Sequence, residues 1–184
     1  MVKFLGLHID RELRWKEQMA AAIGKGQDWL GQCGRIARPA GGISGQHMHR
    51  LYMSVVVPRM LYRADVFLGP ALWSASFKVN KDRHMALNKL VSIQRKAAIL
   101  IVGGMHSSPT DLLDIHTNLL PLHLLVNKVH FQAVLCLATL PIMHPLHNPV
   151  QAAKQFVKKH HTPLHEMMHT FKLKPVLIEK ISAV

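Results

Sequence analysis

Cysteine and acidic side chains are both scarce in this chain of 184 residues. The two cysteines, Cys33 and Cys136, stand far apart and neither belongs to a C-x-x-C pair. That excludes a disulfide framework and a cysteine-based zinc site, and it fits a reducing compartment. Long hydrophobic runs are missing as well. The longest, residues 97–105, is about half of the roughly 20 residues that a spanning helix needs. Residues 1–8 lack the extended apolar stretch of a signal peptide. The expectation is an intracellular protein, with nucleus and cytoplasm not resolved. No glycine-rich phosphate loop and no internal repeat is present. Gly24, Gly26, Gly31 and Gly34 fall inside a helical pattern rather than in a strand-to-helix turn.

What the chain does have is positive charge and apolar bulk. Lys and Arg number 23 against 10 Asp and Glu, a net charge of +13, while 49% of residues are hydrophobic and 18% charged. The apolar share excludes a disordered tail. The charge points to a polyanion partner, nucleic acid or an anionic membrane surface, with nucleic acid favoured.

Punctuation along the chain predicts an all-α helical bundle of about five main helices, with one short N-terminal β-strand and a looser helical tail. Residues 3–10 alternate as a strand with no second strand to pair with, and a lone strand is not a stable unit. From Asp10, read as an N-cap, a first helix carries Trp15, Met19, Ala22, Gly26, Leu30, Cys33 and Ala37 at spacings of 3 and 4. Pro39 and Gly41-Gly42 end it. Ser44 caps a second helix reaching about Phe67, kinked at Pro58, before a loop over residues 69–81. A third runs over residues 82–102 until Gly103-Gly104, and is apolar on every side near its end. Ser108-Pro109 starts a fourth helix and Pro121 a fifth, whose stripe reads Leu122, Leu125, Val129, Ala133, Leu137 and Leu140. Asn148-Pro149 and Thr162-Pro163 open two weaker helices.

Three stretches then carry a family resemblance. They are Lys3-Phe4-Leu5-Gly6-Leu7-His8-Ile9-Asp10, Leu51-Tyr52-Met53-Ser54-Val55-Val56-Val57-Pro58-Arg59-Met60-Leu61-Tyr62, and residues 90–101 around Ile93-Gln94-Arg95-Lys96-Ala97-Ala98. In this order they resemble the C-terminal part of a non-LTR retrotransposon reverse transcriptase, an RNA-directed DNA polymerase, similar to fungal elements. The resemblance implies that residues 1–10 are a primer-contacting strand beside the polymerase palm, with Phe4, Leu5 and Gly6 as the primer grip. Residues 11–104 are then a thumb-like bundle and residues 105–184 a connector with its tail. The implied partners are RNA or DNA, as a primer–template, and the palm segment.

The polymerase reaction needs clustered carboxylates to hold Mg²⁺. No adjacent pair of aspartates occurs in the chain, and the Asp-Gly-Ser start of an RNase H is absent too. Asp111 and Asp114, three residues apart, suit the positive end of a helix dipole better than a metal. The expectation is a non-catalytic fragment with no catalytic residue and no cofactor of its own, Mg²⁺ belonging to the palm.

Arg14, Lys25 and Arg35 fall within about 80° of one another on a helix beginning at Asp10. Arg11 borders that sector and Arg38 extends it into the loop. Such a ridge grips phosphates without reading sequence, although lysines and arginines also solvate the outer face of any bundle. Trp15 and Trp29 read as core packing rather than base stacking, and Cys33 and Cys136 as buried thiols on apolar stripes. A free-standing basic helical protein that meets RNA or membrane is the alternative. More remote is a zinc peptidase, from the H-E-x-x-H match His165-Glu166-Met167-Met168-His169. In that pattern His165 and His169 would bind the metal and Glu166 act as base. Neither the glycine nor the third histidine of the extended motif follows.

Overall fold

The computed structural model describes residues 2–37, 42–68, 81–153 and 163–181. It is mostly α, with a two-stranded sheet at the N-terminus. The single strand expected over residues 3–10 is a closed hairpin. Strands β1 (Val2–Phe4) and β2 (Leu7–Ile9) pair antiparallel, with Val2 opposite Ile9 and Phe4 opposite Leu7. Leu5 and Gly6 reverse the chain with φ of 46° and 80°. A two-residue turn with both φ positive matches the twist of the strands it joins, and glycine adopts it at no steric cost. The strand therefore finds its partner just across a two-residue turn. Two contacts moor the hairpin: the His8 amide donates to Gln18 Oε1 at 3.0 Å, and the Tyr62 hydroxyl to the Leu5 carbonyl at 3.1 Å.

Helix α1 covers Lys16–Ile36, six residues short of the expected start at Asp10. Asp10 does cap, but it caps a turn. Its carboxylate accepts the amides of Arg14 and Trp15 at 2.9 and 3.0 Å. Leu13 and Trp15 are left-handed, with φ of 52° and 60°, which an α-helix cannot contain. The Trp15 amide holds the Asp10 carboxyl below its ordinary pKa. Met19, Ala22, Gly26, Trp29 and Cys33 form the buried stripe of α1.

The second helix has the expected extent but comes in pieces: α2 (Gly45–Leu51), a π-helical turn (Tyr52–Val56), α3 (Val57–Met60) and α4 (Ala64–Phe67). Pro58 lacks the N–H that an α-helix would use, and its ring crowds the carbonyl four residues back. The wider π turn just before it takes up that conflict. Arg63, left-handed at φ 57°, separates α3 from α4. The expected loop over residues 69–81 lies outside the described residues except at Lys81.

Helix α5 (Lys81–Val102) is central, burying Ala86, Leu90, Ile93, Ala97, Ala98 and Ile99. It runs alongside α1 in the same direction, since Lys16 pairs with Asp82 near one end and Gly26 lies against Ile93 further along. Gly103 at φ 70° stops it, and the amides of Gly103 and Gly104 both return to the Ile99 carbonyl. Then come α6 (Thr110–Thr117) after Pro109 and α7 (Leu122–Ala138) after Pro121.

The buried face of α7 is not the expected stripe. It holds Leu122, Leu125, Val126, His130, Val134 and Ala138, leaving Val129, Ala133 and Leu137 at its margin. His130 turns the face. Its Nδ1 donates to the Val126 carbonyl at 2.8 Å, which allows a neutral imidazole to fill a core position. Along α7 the packing changes hands. Leu122, Leu125 and Val126 join the main core of α1 to α6. Val134 and Ala138 join a smaller cluster with Val150 of α8 (His147–Ala152) and Met168 of α9 (Pro163–Thr170). Lys180 closes this end by donating to the carbonyls of Ala138 and Pro175.

Candidate nucleic-acid interface

Because α1 begins at Lys16, Arg11 and Arg14 leave the helical ridge in which the sequence placed them. Both are exposed in the turn after the hairpin, and Arg14 is ion-paired with Glu12. Lys25 and Arg35 do lie exposed on α1. Ten residues separate them by about 15 Å along the axis and about 80° around it. Arg38 lies outside the described residues. The ridge is thus two exposed cations on α1 and two in the preceding turn.

Sequence reasoning missed other exposed cations. Lys16 of α1 and Lys89 and Lys96 of α5 line one trough between the two helices. No local pattern joins residues from helices so distant in sequence; only their parallel packing does. Near the hairpin, Arg63 lies over the Tyr62 ring at 5.9 Å, and the same Tyr62 bonds Leu5. Phe4 and Leu5 are 60% and 69% exposed, and Gly6 forms the turn beside them. The tip therefore gathers an exposed aromatic ring, an aliphatic side chain, a phenol and a guanidinium, groups that can stack on bases and meet phosphates.

Trp29 is buried, its ring 5.4 Å from that of Tyr52, and Trp15 packs half-buried on the same core. Cys33 is buried, and burial pushes its thiol pKa up. Cys136, expected on an apolar stripe, is exposed instead. It lies two residues from both Val134 and Ala138 on α7, and two residues carry a side chain about 200° round a helix, to the far side.

The carboxylates do not suit Mg²⁺. Asp111 is exposed, whereas Asp114 is buried and accepts from Gln94 Nε2 at 3.2 Å. Gln94 Nε2 also donates to the Leu120 carbonyl at 3.0 Å. Burial drives the Asp114 carboxyl above its ordinary pKa, so the site disfavours charge instead of presenting it. Tyr52 adds a third buried polar group to this core, and burial raises its phenol well above the usual tyrosine range. The sequence did not foreshadow these three groups, of which Gln94 and Asp114 tie α5 to α6.

His165, Glu166 and His169 do share the short helix α9, each half-buried. Among the described residues no group of three metal-ligating side chains comes together. The same is true of any single helix long and apolar enough to cross a membrane; α6 and α7 together reach that composition but bend by 60° between them. Compared with known protein families, curated proteins and solved structures, the chain matches none.

Proposed function

We propose that this chain is a non-catalytic part of a reverse transcriptase of the non-LTR retrotransposon kind, holding nucleic acid by electrostatics. The observation that carries the reading is the surplus of surface cations. There are 23 Lys and Arg for 10 acids, and Arg11, Lys25 and Arg35 are all exposed. The hairpin tip, with Phe4, Leu5 and Gly6, occupies the position of a primer grip in the resemblance, and Arg63 adds charge beside it. Phosphate contacts of this sort fix affinity without choosing sequence.

Anisotropy of a labelled RNA–DNA hybrid, titrated with the full chain at 50 and 200 mM salt, tests the reading. Three phosphate contacts would make the fourfold rise in salt cost about 40-fold in affinity. Lys25→Glu combined with Arg35→Glu is expected to flatten that slope. An isotherm insensitive to both salt and charge reversal overturns the reading. Anionic vesicles that displace the hybrid completely would do the same, in favour of a membrane surface.

A further inference from the structure

The trough between α1 and α5 has a character that a phosphate backbone does not match. Its volume is about 580 Å³. Ile23 and Leu30 of α1 and Met85 of α5 line it with hydrocarbon, and Met85 is 48% exposed. Lys16, Lys89 and Lys96 are exposed along its length, and Asp82, its one acidic lining residue, is bonded to Lys16 at 3.3 Å. We infer that this trough is a docking groove for an amphipathic helix with an apolar face and acidic flanks, presented by a protein partner.

Shape supports a helix. From Lys16 to Leu30 the trough follows α1 for about 21 Å, four turns, beside a parallel α5. Two aligned helices offer a furrow in which the side chains of a third interdigitate. Gly24 keeps the wall open, because a Cβ built there meets nothing within 4 Å. Chemistry supports acidic flanks. An apolar face covers Ile23, Leu30 and Met85, while carboxylates on its borders meet the lysines. Nucleic acid laid here would press charged phosphates onto hydrocarbon, which costs solvation without return. Methionine adds an adaptable surface for the incoming side chains. Lys25 lies about 180° round α1 from Lys16, so the groove and the Lys25 surface are separate and the inference stands apart from the nucleic-acid reading.

The probe is a fluorescein-labelled synthetic 18-residue peptide, with leucines on one helical face and glutamates on its borders, titrated into the full chain. Its control has the same composition with the leucines spread around the helix. Saturable one-to-one binding, at least tenfold tighter than the control, is the expected result. Lys89→Glu with Lys96→Glu is expected to weaken it tenfold or more at unchanged helical circular dichroism. Gly24→Phe fills the groove while raising helix propensity, so it is expected to abolish binding without lowering the melting temperature. Equal binding of the control peptide overturns the inference, as does unchanged affinity in either variant. If the Lys89→Glu, Lys96→Glu chain loses oligouridylate but keeps the peptide, the groove is a nucleic-acid surface and the inference fails.

Discussion

Gly45, the first residue of α2, lies directly against the carbonyl of Ile101 near the end of α5. A Cβ placed there would overlap the oxygen, a backbone atom that cannot swing aside.

Gly45→Ala is therefore expected to destabilise the fold by about 1–3 kcal/mol, the usual cost of overpacking. Gly24→Ala and Gly34→Ala should do the reverse. Both lie within α1 with nothing near a built Cβ, so each should gain about 0.5–1 kcal/mol from reduced backbone entropy in the unfolded chain. Urea midpoints for the three variants check the opposite signs. Equal shifts would refute the packing assignment at Gly45.

Tyr52 gives a second test. Its hydroxyl is buried without a hydrogen-bond partner, as is Gln94 Oε1. An unpaired buried donor costs about 1–3 kcal/mol. Tyr52→Phe keeps the ring against Trp29 and removes the orphan group, so the denaturation midpoint is expected to rise. A fall would mean that the hydroxyl is satisfied in solution.

His130 makes stability depend on pH. The ring is 0% exposed, Nδ1 is engaged by Val126, and Nε2 has no partner to receive a proton. Burial lowers its pKa from the ordinary 6.5; the bond to the Val126 carbonyl and Asp65 work against that shift and Arg83 with it. The unfolded chain thus binds the proton more readily than the folded one. Stability is full above about pH 6.5 and is lost as pH falls below it. His130→Leu is expected to shrink the difference in unfolding free energy between pH 7 and pH 5. An unchanged difference would show that other groups govern the acid response.

Much of the helical layout was legible because proline and glycine mark it. Pro109, Pro121 and Gly103 bound α5, α6 and α7 close to where the sequence placed them. The hairpin was hidden because its strands are three residues each, too short for alternation to reveal a reversal at Leu5-Gly6. Asp10 misled for a physical reason: a capping aspartate satisfies amides in a turn as readily as at a helix start. The displaced start of α1 then dissolved the ridge of Arg11, Arg14, Lys25 and Arg35, whose alignment assumed one continuous helix. His130 shifted the α7 stripe because a histidine counts as polar until a local carbonyl takes its N–H. The α1–α5 trough arises only from tertiary packing, so no window of sequence could display it.

The hairpin also sets how the molecule would bear a mechanical load. Tension applied at Val2 meets the Val2–Ile9 pairing first and opens the strands one rung at a time, as a zipper yields, instead of shearing all rungs together. The Tyr62 hydroxyl on Leu5 and the Gln18 carboxamide on His8 then act as the next two catches. Behind them the left-handed turn at Leu13 and Trp15 can still pay out before α1 feels the pull. A tether attached at this end would thus open the hairpin before the pull reached α1.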